Sequence, residues 1–402
     1  MPKDSTKNWV ASAIFIASAI ASLSISSELI QNLLNTIVPS KIEEFYVWSA
    51  VFISAAFSLL FGAFLSDKIR FKLKFILIWI ISGAIVSLIP VMGIVDITGI
   101  VAFSSLFIVV WGIGLPACMS YFAQSTVIEN RAKIGGLILF VSLLSGVLSR
   151  LLSANEDFLL NSLYLFGLRA CSLTGFLFVR NAKLEFSKEK VSRSFISIIG
   201  EKSVILYMIP WVLFALVNDL FAPIAATIQS EEFYYSLILL ATVFAATFSI
   251  LSGFFADSVG RKPVIIMGFV MLGLGYAFLG IFTSSIFSWY FYTLVDGMAW
   301  GMLFPMFLIT LWGDLAAGKS SEKYYAIGFM PFLLSSFLRL TVGPTIADVV
   351  PAYSIFSFVA VFLFSAVIPL LYAPETLPEQ KIRARELRDY IVKAKKVKEK
   401  HV

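Results

Sequence analysis

The sequence predicts an all-α integral membrane protein, with twelve transmembrane helices in two pseudo-symmetric six-helix bundles. Three observations carry that prediction. Of 402 residues 59% are hydrophobic and only 14% charged, and the mean hydropathy is +0.90; a water-facing surface cannot be built from such a composition at this length. Twelve apolar stretches each approach the roughly 20 residues that a helix needs to cross a bilayer. Finally, the first half recurs in the second at one offset. Glu43-Glu44-Phe45-Tyr46 returns as Glu231-Glu232-Phe233-Tyr234, 188 residues on. Trp111-Gly112 with Pro116 returns as Trp300-Gly301 with Pro305 at 189, and Leu143-Leu144-Ser145 leading to Arg150 returns as Leu333-Leu334-Ser335 leading to Arg339, with 189 between the arginines. Matches at one spacing, each at the same place in its half, indicate duplication, and parallel six-helix repeats put a site near the bilayer midplane.

Taken in order, the spans are expected at 9–38, 44–66, 73–94, 97–121, 134–155, 157–179, 204–229, 232–256, 263–283, 286–311, 324–347 and 351–373. The first is too long for a cleaved leader and reads as a retained helix. Between spans six and seven lies the only long interior polar stretch, 180–203, where Val191, Phe195 and Ile198 recur at helical spacing on what reads as a surface helix. The organisation is therefore a first bundle over 1–179, a linker over 180–203, a second bundle over 204–373 and a basic tail over 374–402. Lys68, Arg70, Lys72, Lys74, Arg131, Lys133, Arg261, Lys262, Lys319 and Lys323 fall in alternate loops. The opposite loops carry Glu43, Glu44, Asp96, Glu156, Asp157, Glu231, Glu232 and Asp348, with Lys41 as the sole cation. The positive-inside rule then puts both termini in the cytoplasm. The net charge of +6 belongs to those loops and not to nucleic-acid binding. Cys118 and Cys171 sit in apolar segments and the single histidine, His401, in the tail, so no metal site, cofactor or histidine chemistry is expected within the membrane.

Six ionisable residues lie well inside the spans: Glu28, Arg150, Arg169, Asp219, Asp296 and Arg339. Each costs about 2.5–3.5 kcal/mol at a helix centre, so each is expected to face protein or water, and three acids against three arginines suggest internal pairing. Glu28 shares a face with Ser24, Gln31, Asn32 and Asn35, the stripe of a cavity or an interhelix seam. Asp219 occupies nearly the equivalent position in the second half, with Pro223 one turn on. Asp296 has no acidic counterpart, Phe107 standing at the matching position, and shares a face with Tyr292 and Trp300. It is a candidate proton-titrating residue, with a buried ion-pair partner as the alternative. Arg150 and Arg339 are the symmetric candidates for a substrate's negative charge, because the guanidinium fork suits carboxylate or phosphate; for Arg150 the alternative is snorkelling outward. Arg169 is as readily a structural ion-pair partner. Of the many aromatics, Trp111, Trp300 and Tyr292 are the candidate substrate contacts.

The stretch Gly253-Phe-Phe-Ala-Asp257-Ser-Val-Gly260-Arg261-Lys262 joins two spans by a short basic hinge, and Gly62, Ala63, Asp67, Lys68, Arg70 and Lys72 form a blurred copy. The pattern resembles the signature loop of the major facilitator superfamily of secondary transporters, and the resemblance covers essentially the whole chain. It implies that Gly253, Asp257, Gly260, Arg261 and Lys262, with Asp67, Lys68 and Lys72 in the first half, latch the cytoplasmic side. Glu129 and Arg131, before Gly135, resemble the family's acid–arginine loop after helix four. Pro374-Glu375-Thr376 is similar to the P-E-T ending of the sugar and metabolite:proton symporter branch. Departures are the first-half loop without its glycine and arginine, no arginine before Trp111, Gly146 without a following proline, and no P-E-S counterpart after span six.

The expectation is thus a monomeric secondary transporter in the plasma membrane that moves a small polar metabolite by alternating access. An organic anion is favoured over a sugar, and proton-coupled symport is carried by Glu28, Asp219 and Asp296. The alternatives within transporters are an exporter of a drug or metabolite driven by proton exchange and, behind it, a uniporter. A channel would need a ring-forming filter repeat, and a membrane enzyme a nucleophile–base pair or metal set at membrane depth; the sequence offers neither.

Overall fold

A computed structural model describes residues 5–94, 96–152, 158–179, 192–349 and 352–378. The described chain is helical throughout. The first half comprises α1 (Ser5–Ile37), α2 (Lys41–Lys68), α3 (Lys72–Val86), α4 (Ile97–Ser125), α5 (Arg131–Leu152) and α6 (Phe158–Cys171). A 3₁₀ turn at Ile89–Met92, holding Pro90, extends α3, and another at Ser172–Phe178 completes the sixth crossing. After the short α7 (Phe195–Ile199) come α8 (Lys202–Ile228), α9 (Glu231–Val259), α10 (Arg261–Ile281) and α11 (Ile286–Phe304), the last continuing through a π-helical segment at Pro305–Thr310 into α12 (Leu311–Leu315). The final two crossings are α13 (Glu322–Thr341) with α14 (Gly343–Val349), and α15 (Ala352–Ser365) with α16 (Val367–Tyr372). Nine described helices are by themselves long and apolar enough to span a bilayer. The crossings through α6, α8 and α13 bring the total to twelve. Of the expected linker and tail, 180–191 and 379–402 lie outside the described residues.

Local chemistry explains where the helices start. Ser40 caps α2: its hydroxyl accepts from the Glu43 N–H at 3.3 Å, and the Glu43 carboxylate accepts from the Ser40 N–H at 2.8 Å. Ser230 caps α9 by accepting from the Phe233 N–H at 3.4 Å. The duplicated Glu-Glu-Phe-Tyr therefore marks two equivalent helix starts, where carboxylates also favour the positive helix end. Pro305 removes a backbone donor in mid-span, and the widened turn that follows is tied by the Thr310 hydroxyl, which donates to the Pro305 carbonyl at 2.8 Å.

Within the first half α4 is central and packs on α1, α2 and α3; within the second, α11 packs on α9 and α10, and α8 on α13 and α15. The halves meet along two seams, α5 against α9 and α2 against α13. Gly253 makes the first seam possible: a Cβ there would lie 2.5 Å from the Ala132 carbonyl oxygen on α5, and such close backbone approach is the use of small residues in membrane helix packing. Arg193 of the segment before α7 pairs with Glu201 at 3.1 Å, and Glu201 also accepts from Lys319 at 3.0 Å and from the Tyr324 hydroxyl at 2.6 Å. Ile198 of α7 is buried against the bundle while Ile196 is exposed.

Gly260 separates α9 from α10 with φ +113°, a region that other residues rarely enter, and a Cβ would lie 2.4 Å from Glu375 Oε2. That carboxylate accepts from the Arg261 and Lys262 N–H groups at 2.9 and 3.1 Å, capping α10 from the far end of the chain. Gly260→Ala is therefore expected to cost about 1–3 kcal/mol and to lower the apparent melting temperature of the detergent-purified protein by several degrees. Unchanged melting would mean that the cap tolerates a side chain.

Candidate functional site: a cavity between the halves, latched at one end

Two polar layers close the basic end of the seam. In the first, Asp314 of α12 accepts from Arg131 NH1 of α5 at 2.6 Å and from Arg261 Nε of α10 at 3.1 Å, so one carboxylate ties the halves together. Arg261 also pairs with Asp257 at 2.9 Å, and donates to the Ala256 carbonyl at 2.8 Å and to that of Ile128 across the seam. Asp257 in turn accepts from the backbone N–H groups of Ala132 and Lys133 at 3.3 and 2.8 Å, at the N-terminus of α5. Arg261 and Asp314 are fully or almost fully buried, where charges are tolerated only when paired and hydrogen-bonded. In the second layer Lys72 pairs with Glu322, while Asp67 pairs with Lys323 at 3.0 Å and accepts from the Ser320 and Ser192 hydroxyls, both at 2.5 Å. Each half's signature acid thus sits at the start of a helix in the other half: Asp257 at α5, Asp67 at α13.

The remaining latch candidates are placed differently. Lys68 lies over the Phe64 ring of its own helix at 4.0 Å. Lys262 donates to the Leu371 and Ala373 carbonyls at 2.8 and 3.0 Å, within the second half. Glu129 is half-buried in the 3₁₀ turn Ile128–Asn130 that leads into α5. Asp314, Glu322 and Glu375 were not singled out from the sequence. Asp314 and Glu322 were legible only as acids in an otherwise basic loop, and Glu375 as the acid of the P-E-T ending.

Beyond the latch a cavity of about 310 Å³ opens between the halves, within the size range of small-molecule sites. Ser24 and Arg150 come from the first half; Asp219, Asp296, Trp300 and Arg339 come from the second. The first-half arginine is clamped by an acid: Arg150 Nε lies 2.5 Å from Glu28 Oε1, joining α5 to α1. The second half repeats the arrangement more loosely, Arg339 Nε lying 3.6 Å from Asp219 Oδ1 between α13 and α8, with the Ser335 hydroxyl donating to Asp219 Oδ2 at 2.5 Å. The polar stripe of α1 continues outward, Gln31 donating to Asn35 and Glu44 at 3.2 and 3.4 Å. Asp296 stands apart. No cation lies within ion-pair distance of it among the described residues; it accepts instead from the Tyr292 hydroxyl at 3.2 Å and the Trp300 indole N–H at 3.1 Å. With its one proton turned to Asp296, the Tyr292 hydroxyl accepts from the Tyr276 hydroxyl, 3.0 Å away.

Trp111 is outside the cavity. It is fully buried, its indole donates to the Ala19 carbonyl at 2.8 Å, and its ring meets Phe329 edge-on. Trp300, its counterpart in the repeat, lines the cavity and packs edge-on to Phe304 with ring centroids 4.2 Å apart. Arg169 is also outside, buried in α6 with its guanidinium 4.7 Å over the Trp79 ring. No carboxylate pairs with it among the described residues, so the ion pair expected as one alternative is replaced by a cation–π contact.

The latch makes a direct prediction. Asp314→Asn leaves the buried Arg131 guanidinium with neutral acceptors alone, while Arg261 keeps Asp257, a loss of about 3–5 kcal/mol from the closed arrangement. A cysteine placed at Ala123, beside the latch, is expected to react with a maleimide at least tenfold faster in the Asp314→Asn protein; an unchanged rate would show that the seam is held closed by something else.

Three comparisons with known proteins bear on this architecture. Residues 194–401 match the family described as Major Facilitator Superfamily. No curated protein is matched by the sequence. Among solved structures, the human organic anion transporter MFSD10 (TETRAN) superposes with a TM-score of 0.66 at 12% identity, over 92% of this chain and 100% of that one. The proton:xylose symporter XylE bound to 6-bromo-6-deoxy-D-glucose gives 0.62 at 14% identity, and a double-tryptophan mutant of XylE gives 0.68 at 16%, each over 94% of this chain and 98% of the other. At such identities the likeness speaks for the fold. The family match spans just over half of the sequence, the fold is shared over nearly all of it, and the chain belongs to the major facilitator superfamily.

Proposed function

We propose that this multi-pass membrane protein is a proton-coupled secondary transporter of the plasma membrane. On this reading it moves a small polar metabolite by alternating access, with the latch end and both termini in the cytoplasm. The observation that carries the reading is the cavity between the halves. It is closed at one end by buried ion pairs that join the halves, and it holds one carboxylate, Asp296, with no cationic partner among the described residues. A site at the interface of two repeats, sealed on one side by contacts that must break for the other side to open, is what rocking of the halves requires. Asp296 is the group placed to carry a proton, because it is the cavity carboxylate with no cationic partner among the described residues.

The direction of coupling follows from how the acids are used. Symport of an organic anion would employ Arg150 and Arg339, each freed when Glu28 or Asp219 takes a proton. In the structure each arginine already has its acid, so an anion must displace a carboxylate to be bound. Proton exchange needs no such displacement: substrate and proton would alternate at Asp296. That geometry favours exchange over symport. The organic anion transporter and the xylose symporter that share the fold show that this scaffold serves either kind of cargo.

The test is proton movement in vesicles of the purified protein, scanned with carboxylates, sugars, amino acids and amines. Under exchange, substrate added outside makes an acidic lumen more alkaline; under symport it acidifies the lumen. Asp296→Asn is expected to abolish proton-driven accumulation, by at least a hundredfold in initial rate. Accumulation that survives the substitution would remove Asp296 from proton coupling.

A further inference from the structure

We infer that the cavity selects an organic cation, an aromatic or alkyl ammonium, and that this cation occupies the Asp296 carboxylate which the proton otherwise takes. The inference rests on the transporter reading above and adds to it the chemical class of the cargo. Its warrant is the balance of charge around the cavity and the material of its wall.

Two arginines and two carboxylates line the cavity, and a third carboxylate, Glu28, pairs with Arg150 from α1. Arg150 and Arg339 are matched by Glu28 and Asp219, which leaves the Asp296 carboxylate as the charge without a counter-charge. The groups facing it from other helices are Tyr276 of α10, Tyr234 of α9, Asp219 of α8 and Arg339 of α13; its own helix supplies Tyr292 and Trp300. All three hydroxyl-bearing rings and the indole are neutral. An ionised Asp296 therefore makes the cavity net negative, and entering cations gain what entering anions lose.

The wall around the carboxylate is aromatic. Trp300 is flanked edge-on by Phe304 at 4.2 Å and by Phe214 at 5.0 Å, Phe304 meets Phe332 at 5.8 Å, and Tyr292 packs on Tyr276 at 4.9 Å. Trp289, Tyr292, Trp300, Phe304 and Phe332 all reach the cavity surface. Ring faces attract ammonium groups and strengthen when water is excluded, the logic of aromatic cages for quaternary ammonium ligands. A carboxylate hydrogen-bonded by an indole N–H and a phenol, within such a wall, offers a cation both a charge and π faces. A carboxylate or phosphate cargo meets the same rings as a repulsive surface and must in addition open an acid–arginine pair.

Benzyltrimethylammonium, the neutral N-benzylacetamide and the anion phenylacetate are suitable probes, since each carries one phenyl ring and a different charge. Binding is read by calorimetry and tryptophan fluorescence on the full-length protein in detergent, without a vesicle. The ammonium is expected to bind at least tenfold tighter than either other probe. Its affinity should fall as pH is lowered, as protons compete for Asp296, while that of N-benzylacetamide stays level. Asp296→Asn should weaken the ammonium at least tenfold and leave N-benzylacetamide within twofold, with an unchanged melting temperature. Trp300→Leu should weaken the ammonium more than the neutral probe, an independent readout should the Asp296 variant fail to fold. Phenylacetate binding as tightly as the ammonium, or ammonium binding indifferent to both Asp296→Asn and Trp300→Leu, overturns the inference. Because binding is read without transport, proton-coupled flux of uncharged or anionic cargo together with a flat probe series sinks this inference alone. Selective ammonium binding with no flux or proton movement in vesicles sinks the transporter reading instead.

Discussion

The carboxylate of Asp314 is the interaction on which this state of the molecule depends. It accepts from one arginine of each half, and with Asp257 it forms a four-charge cluster of zero net charge, almost wholly excluded from water. Charges in such a place cannot separate gradually. At intermediate distances the pairs lose their attraction before water enters to replace it, so partial opening is disfavoured on both counts. On the alternating-access reading the seam would be a two-state element, paired and dry or parted and wet, and bistable packing of this kind turns small changes in a distant site into rigid-body motion. Asp257 adds to this by capping α5, which couples the helix bearing Arg150 to the hinge after α9.

Duplication built the molecule, and divergence made it work asymmetrically. The acid–arginine clamps are retained in both halves, Glu28 with Arg150 and Asp219 with Arg339. The latch is retained in part. Asp67 and Asp257 both reach across the seam, whereas at the repeat spacing of 189 Asp314 corresponds to Ser125 and Arg131 to Ser320, so that ion pair has no second copy. The cavity is likewise asymmetric. Asp296 corresponds to Phe107, and Trp300, which lines the cavity, corresponds to Trp111, which holds the Ala19 carbonyl in the core. The first half's version of the site has become packing.

How much of this was legible in the sequence depended on the range of the interaction. The twelve spans follow from local hydropathy, whereas the caps at Ser40 and Ser230 that set two of their starts appear only in the structure. The acids and arginines inside spans announce themselves because membrane depth makes every charge conspicuous. Gly253 and Gly260 were readable as a hinge pattern. What could not be read was pairing across the seam. Asp314 bonds to Arg131 from 183 residues away, and Lys72 to Glu322 from 250; nothing at either position names its partner. Asp314 also lies just past the expected end of its span, where an acid looks solvated, whereas the helix in fact continues through the π-helical segment to Leu315. Trp111 misled for the complementary reason. Its Trp-Gly environment equals that of Trp300 in sequence, and only the neighbouring helix decides which indole faces open space.

The lone Asp296 and the two-state latch are linked through solvation. On the proposed reading, the cavity is open to water at the end opposite the latch, where an ionised Asp296 would be solvated. Rocking the halves to part the latch must close the opposite end, and that strips this water away. A carboxylate then left charged and unpaired at membrane depth costs several kcal/mol. Either a proton or a bound cation removes that cost. On the proposed reading, the empty, ionised carrier would resist the transition, while the protonated and the cation-loaded carriers would make it freely. One carboxylate cannot hold both at once, so on that reading every passage would carry one or the other, and a proton gradient would drive cation movement the opposite way without any further coupling device. By keeping Arg150 and Arg339 matched, the acid–arginine clamps would deny Asp296 a resident counter-charge and so keep the empty protein from slipping.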